Sequence, residues 1–163
     1  MLNRYSFFKI ICTNLESSNM SVDISGKSIV KREALAQGEI ILKKETINKI
    51  KDNNVEKGDV ISSCRLAAIH GVKQTPNLLV YCHPIPILGV KVNFEYVNDE
   101  TIRVSVHVKS EGKTGCEMDA LNGVTNALLM IWDMTKMYEK NEEGQYLDTK
   151  IQNIQVVKKI KGN

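Results

Sequence analysis

The sequence predicts an α+β domain in which one antiparallel sheet is covered on one face by long helices. Apolar and polar residues alternate over 89–97 and again over 101–109, which predicts a β-hairpin with one solvated face. The segment 113–140 repeats apolar residues at helical spacing without a proline, which predicts the longest helix, and 151–160 fits an edge strand. Strands and helices do not alternate regularly, so the order favours α+β over α/β.

The chain has 163 residues, a length that fits one domain with a sizeable core. We expect an irregular N-terminal extension over 1–20, which has no usable pattern, and a single domain over 21–163. Early in this domain, 34–42 predicts a strand with a bulge or turn at Gly38. A short helix is predicted over 45–50.

The middle of the chain predicts a second helix followed by an extended loop. The helix covers 59–75; its first residue, an aspartate, is a suitable N-cap, and Pro76 is expected to end it. The segment 77–88 contains two prolines that prevent regular strand pairing. We expect a stiff loop that displays Cys82 and His83, although a core-crossing loop with a buried thiol is the alternative.

The predicted long helix has an apolar face and a polar face. The apolar face carries Ala120, Leu121, Val124, Ala127, Leu128, Ile131, Met134 and Tyr138. Asp119, Asp133 and Lys136 lie on the opposite face, which is either a solvated surface or a functional one. Thr114 and Glu117 have the spacing of a capping box, which predicts the helix start.

The composition excludes several classes of protein. A net charge of +3 and a pI near 8.6 permit an anionic ligand without requiring nucleic acid. The 4 cysteines form no CxxC pair and the 3 histidines no zinc-binding pair. We therefore expect free thiols, a cytoplasmic location and no metal site. No apolar run is long enough to cross a bilayer.

Two lysines stand beside predicted helix starts. Lys57 precedes the helix over 59–75, and Lys113 lies in the loop SEGKTG before the long helix. A lysine there opposes the helix dipole, whereas a lysine together with free helix amides could bind an anion. The residues alone leave both interpretations open, and SEGKTG lacks the full P-loop spacing.

Two motifs resemble the signatures of one enzyme family. CHPIPI at 82–87 and GKTGCEMDAL at 112–121, followed by IWDMTK at 131–136, resemble those of cyclic pyranopterin monophosphate synthase, the molybdenum cofactor biosynthesis protein C. Two further motifs, VDIS at 22–25 and KGDV at 57–60, also occur in the order and at the spacing that the family shows.

The resemblance, which covers about residues 20–159, implies a fold, an activity and an assembly. The implied fold is ferredoxin-like. Members convert 3′,8-cyclo-7,8-dihydro-GTP to cyclic pyranopterin monophosphate and release pyrophosphate, an early step of molybdenum cofactor biosynthesis. They form a homohexamer, a trimer of dimers with the active site at a subunit interface. The resemblance implies no cofactor, although Mg²⁺ is compatible with the substrate, and no nucleic-acid or membrane partner.

The resemblance also implies site residues. Asp133 matches the family's catalytic aspartate, and Lys57 and Lys136 match lysines with acid or base roles. The positions that contact the substrate or line its pocket are Tyr81, Cys82, His83, Glu117, Met118, Asp119, Lys113, Lys27, Arg32 and Lys159. Asp119 replaces the family's usual glutamate, and the sequence closes in KKIKGN where the family has a GGKSG tail.

These residues suggest proton transfer. Asp133 and Lys136 are three residues apart on one helix, so they can meet one ligand. A lysine beside a helix N-terminus and other cations should have a lowered pKa, which suits proton transfer near neutral pH. The alternative is a non-catalytic nucleotide- or RNA-binding α+β module. The low aromatic content, 6%, argues against it, because RNA-binding sheets stack bases on aromatic side chains.

Overall fold

The computed structural model describes residues 21–162, so the predicted extension over 1–20 lies outside the described residues. The described strands are β1 (Val30–Ile41), β2 (Ile87–Tyr96), β3 (Thr101–Gly112) and β4 (Lys150–Lys161). The described helices are α1 (Lys44–Lys51), α2 (Val60–Leu78) and α3 (Glu117–Glu139). The predicted α+β class is confirmed, because the elements follow the predicted order: strand, short helix, helix, hairpin, long helix and strand.

The strands form one antiparallel sheet in the order β2-β3-β1-β4. The predicted hairpin is β2 and β3, and β4 is the predicted edge strand. The arrangement is compatible with a ferredoxin-like fold, in which split β-α-β units share one sheet. His107 lies on the outer, polar side of β3, where its Nε2 is 2.8 Å from Glu33 Oε2.

Helix α3 packs its apolar face on the inner face of the sheet. Val124, Leu128 and Ile131 are fully buried together with Val104 and Val106 of β3. Burying an aliphatic side chain of this size contributes roughly 1.5–3 kcal/mol. This packing fixes α3 against the sheet, and α3 carries much of the predicted site.

Gly38 allows α3 to lie close to β1. A Cβ at this position would come within 2.8 Å of Leu128 Cδ1 and 2.9 Å of Val124 Cγ1, which is too close for any larger residue without displacement. The pairing of β1 with β4 shifts register between Gln37 and Glu39, so the predicted irregularity at Gly38 is confirmed.

Pro76 does not end α2, contrary to the prediction. The helix continues to Leu78 with Pro76 inside it. Proline cannot donate to the carbonyl four residues earlier, which here belongs to Val72. The hydroxyl of Thr75 donates to that carbonyl instead, at 3.1 Å, and also to the carbonyl of Gly71. The missing backbone bond is thereby replaced.

The predicted capping box at the start of α3 is wrong. The helix begins at Glu117 with Cys116 as its N-cap and without a side-chain capping bond. The Glu117 carboxylate accepts from Lys159 of β4 at 2.6 Å. The Glu117 carboxylate is thereby paired with a side chain of another element and not with the backbone amide of Thr114, as a capping box requires.

The described part of the chain contains no helix both long and apolar enough to cross a bilayer. Cys64, Cys82 and Cys116 are free thiols.

Candidate active site

Lys57, Asp133 and Lys136 form one cluster of charged side chains. Lys57 Nζ is 2.7 Å from Asp133 Oδ2 and also donates to the Asp133 carbonyl at 2.8 Å. Lys136 Nζ is 2.7 Å from Asp133 Oδ1. Each carboxylate oxygen therefore accepts from a different lysine. The three residues that the sequence predicts to be catalytic are in direct contact within one chain.

The loop between α1 and α2 directs Lys57 toward α3. Gly58 has a φ of +97°, a conformation that glycine adopts without a steric penalty. Asp59 then caps α2 as predicted: its Oδ1 accepts from the Ser62 amide at 2.9 Å. The Asp59 carboxylate thus already fills the predicted anion site at this helix start, and the anion that Lys57 contacts is Asp133.

The two lysines change the acid–base behaviour of Asp133. Hydrogen bonds from Lys136 and Lys57 lower the pKa of the Asp133 carboxyl from 3.8 to about 2. The same contact with Asp133 raises the pKa of Lys136. An adjacent carboxylate favours the charged form of a lysine; the lowered pKa expected of a lysine beside a helix N-terminus stays a prediction.

The lowered pKa of Asp133 can be tested by titration. We expect the Asp133 carboxyl to titrate near pH 2 in the native chain and closer to 3.8 in Lys136→Ala, observed by carboxyl-carbon NMR. Because the folded-state pKa is depressed, the ion pairs stabilise the fold above about pH 3.8 and lose that effect as pH falls through about 2. A native midpoint near 3.8 would contradict the observed pairing.

A second charged cluster lies at the start of α3. Lys159 Nζ reaches Glu117 Oε1 at 2.6 Å. Although burial opposes it, this hydrogen bond holds the pKa of Glu117 below its usual value. Arg32 donates to the carbonyls of Gly112 and Lys113 at 3.4 and 3.3 Å. Glu117 Oε2 is buried and has no hydrogen-bond partner among the described residues.

Further cations surround this second cluster. Lys113 Nζ donates to the Ser25 carbonyl at 2.6 Å. This bond connects the segment that contains Ser25 with the residues just before α3. Lys27 and Arg32 line a cleft of about 510 Å³ together with Lys161. The second cluster is therefore rich in positive charge, although the sequence alone did not indicate Ser25 or Lys161 as part of it.

The predicted loop residues lie beside the second cluster. Tyr81 is exposed, and Cys82 is half-buried. Burial and the negative charges of Asp119 and Glu117 raise the pKa of the Cys82 thiol. His83 Nε2 is 3.2 Å from Ser21 Oγ. Cys82 is thus a neutral thiol, which suits a contact role rather than a nucleophilic one.

Two neighbouring residues of α3 differ in exposure. Met118 is 41% exposed, whereas Asp119 is 7% exposed. Asp119 was expected on the polar face of the long helix, and its burial corrects that expectation. Loss of solvation raises the pKa of the Asp119 carboxyl. Its shorter side chain is held inward rather than presented at the surface.

The two clusters lie far apart in one chain. Glu117 begins α3 and Asp133 lies near its other end, about 24 Å away at about 1.5 Å per residue. The chain therefore does not bring its predicted catalytic residues and its predicted substrate-binding residues together. Among residues 21–162, no three His, Cys, Asp or Glu side chains cluster closely enough to hold a metal ion.

The fold and the two clusters define an α+β protein, compatible with the ferredoxin-like type, that carries a cluster of charged side chains at each end of a long helix. The chain belongs to the MoaC family, which it matches over residues 21–162. A relative from Methanosarcina mazei is 50% identical over 86% of this chain and 89% of its own length, and it is named a probable cyclic pyranopterin monophosphate synthase.

Other relatives are as similar. A probable cyclic pyranopterin monophosphate synthase from Sulfurisphaera tokodaii is 53% identical over 86% of this chain and 92% of its own length. A probable cyclic pyranopterin monophosphate synthase accessory protein from Methanothermobacter thermautotrophicus is 47% identical over 86% of this chain and 87% of its own length.

Proposed function

We propose that this chain is a cyclic pyranopterin monophosphate synthase. It would convert 3′,8-cyclo-7,8-dihydro-GTP to cyclic pyranopterin monophosphate and release pyrophosphate, an early step of molybdenum cofactor biosynthesis. The observation that carries the proposal is the direct pairing of Lys57, Asp133 and Lys136. The ionised carboxylate supplies a fixed negative charge, and the two ammonium groups that it holds carry the exchangeable protons.

The proposed roles follow from charge and position. Lys57 and Lys136 would move protons while the pterin ring is rebuilt, and Asp133 would hold both lysines in place. Departure of pyrophosphate needs positive charge where negative charge develops. The residues proposed to supply that charge are Lys27, Arg32, Lys113 and Lys159, whose ammonium or guanidinium groups surround the start of α3.

The remaining predicted residues would recognise the substrate. Glu117 Oε2, a buried acceptor without a partner among the described residues, could accept from a ring N–H or a ribose hydroxyl. A buried acceptor left unpaired costs about 1–3 kcal/mol, so a donor on the substrate would be favoured there. Tyr81, Cys82, His83 and Met118 would form the adjacent contact surface, with the buried Asp119 acting through its charge on Cys82. We propose that the chain acts in the cytoplasm without a resident cofactor.

We further propose that two subunits complete the site. Since about 24 Å separates Glu117 from Asp133 along α3, one substrate can meet both only if a second chain contributes one of them. A two-fold axis near Thr125, midway between them, would set α3 antiparallel to its copy. Each Asp133 would then face the partner's Glu117, with two equivalent sites per dimer.

The outward face of α3 supports this arrangement. Leu129 is 55% exposed, and Leu66 of the neighbouring α2 is 69% exposed. Both line a groove of about 600 Å³ between the two helices, with Asp133 at its rim. Exposed apolar side chains of this kind are typical of surfaces covered by a partner. A trimer of such dimers is the proposed hexamer.

The activity is tested by measuring pyrophosphate release and product mass from 3′,8-cyclo-7,8-dihydro-GTP generated in situ. Turnover to the cyclic pyranopterin with one pyrophosphate per product is expected. A well-folded chain without turnover, whose RNA binding falls steeply with salt, would instead favour the binding module.

A further inference from the structure

Tyr138 holds the backbone of the loop that carries Lys57. The Tyr138 hydroxyl accepts a hydrogen bond from the Glu56 amide at 3.0 Å. Glu56 immediately precedes Lys57, so this bond fixes the backbone next to the lysine. The loop turns sharply on both sides of this contact, with positive φ at Asn53 (52°) and at Gly58 (97°). The helical spacing predicts Tyr138 on the apolar face of α3 and indicates no polar role for it.

The ring of Tyr138 is itself well fixed. It is half-buried and packs against the core, and Lys49 Nζ of α1 lies 5.1 Å from its ring centroid. A tyrosine has few rotatable bonds, so little entropy is lost when its hydroxyl is held in place. Tyr138 thus connects α3, the end of α1 and the loop that follows α1.

Lys57 needs this support because its own ion pair is accessible to water. The side chains of Lys57 and Asp133 are 34% and 52% exposed, and exposed ion pairs hold their geometry weakly. Asp133 and Tyr138 lie on the same helix. Two anchors on one rigid element, one for the Lys57 ammonium and one for the preceding amide, restrict the lysine far more than either does alone.

We propose that Tyr138 is a positioning residue for Lys57: its hydroxyl holds the Glu56 amide so that the Lys57 ammonium stays on Asp133. The proposal rests on the proposed synthase function for its catalytic consequence, but the positioning itself is measurable without turnover.

The test is Tyr138→Phe, which removes the hydroxyl and keeps the ring. We expect Lys57 to be acetylated by an N-hydroxysuccinimide ester several-fold faster than in the native chain, measured by mass spectrometry, roughly as expected for loss of one hydrogen bond. Lys136 keeps its contact with Asp133, so its labelling rate is the internal reference. In the synthase assay, kcat should fall roughly three- to ten-fold with KM nearly unchanged.

Tyr96→Phe is the matched control. Tyr96 also has a lysine of α1 over its ring, with Lys51 Nζ 5.0 Å from the centroid, and its hydroxyl makes no hydrogen bond within residues 21–162. This variant should leave both the Lys57 labelling rate and kcat unchanged.

Two results would overturn the positioning role, and a third would overturn its catalytic consequence. Unchanged Lys57 labelling in Tyr138→Phe would exclude positioning, whatever happens to activity. Faster labelling of every lysine would indicate general loosening instead. Faster Lys57 labelling with an unchanged kcat would exclude a catalytic consequence. If the native chain lacks turnover, the proposed function fails, and the labelling experiment still decides the positioning role.

Discussion

Replacing Asp133 by Asn is expected to lower kcat/KM roughly 10²- to 10⁴-fold, the range for loss of acid–base machinery. The native carboxylate accepts from Lys57 on one oxygen and from Lys136 on the other. An amide offers one acceptor and carries no charge. Two ammonium groups would then lose the anion between them and repel each other. The measurement is steady-state pyrophosphate release by the purified variant.

Asp99→Asn is the control for this experiment. Asp99 forms a comparably exposed ion pair, 2.7 Å from Lys44 Nζ, at the end of the hairpin and apart from both clusters. Its replacement should leave kcat/KM unchanged within about two-fold. Asp133→Asn must keep the native size on gel filtration for the comparison to hold. Activity close to native in an Asp133→Asn protein of native size would remove the cluster from the mechanism.

Replacing Glu139 by Ala is expected to lower the free energy of unfolding by about 3 kcal/mol. Glu139 ends α3 and is only 2% exposed. Its carboxylate accepts from the hydroxyls of Thr46 and Thr149 and from the Lys43 amide. Alanine would leave these donors buried without an acceptor. Urea unfolding monitored by circular dichroism measures the change.

Two further variants serve as controls for the stability change in Glu139→Ala. Glu139→Gln keeps the shape and one acceptor, and we expect a smaller loss than in Glu139→Ala. Glu143→Ala removes an exposed carboxylate nearby that makes no side-chain hydrogen bond within residues 21–162, so it should change stability by less than about 0.5 kcal/mol. A loss below about 1 kcal/mol in Glu139→Ala would mean that water replaces the carboxylate.

The sheet and the long helix were predictable because burial of one face of each element places apolar residues at a regular spacing in the sequence. The alternation over 89–97 matches β2, and the apolar face of 113–140 matches the buried side of α3. Each element hides one face, and its spacing is therefore visible in the sequence alone. The strand predicted over 34–42 matches most of β1, including the irregularity at Gly38, but β1 begins four residues earlier, at Val30.

Helix ends were less predictable because side chains distant in sequence decide them. Thr75 replaces the bond that Pro76 cannot make, which requires knowing the rotamer of a neighbouring hydroxyl. The Glu117 side chain has the spacing to cap its own helix, but it forms an ion pair with Lys159 of β4 instead. The local spacing of residues does not show whether a side chain will cap its own helix or form an ion pair with a residue distant in sequence.

The candidate site was predictable as a set of residues but not as a geometry. The family motifs indicated Lys57, Asp133 and Lys136, and the structure shows them in contact. They did not indicate that Tyr138 would hold the loop beside Lys57, since tyrosine in an apolar stripe usually signals packing. Nor could spacing show that Asp119 is buried, because helical periodicity places it on the polar arc.

The measurement that tests the account most directly is complementation between two inactive subunits. Asp133→Asn and Glu117→Gln chains, each with a different tag, are co-expressed, and assemblies carrying both tags are purified. If each site takes Asp133 from one subunit and Glu117 from its partner, every mixed dimer contains one intact site of its two. The doubly tagged assemblies should therefore recover pyrophosphate release, with half of the native rate as the upper limit when all dimers are mixed. No recovery in mixed assemblies of native size would contradict a site shared between two chains.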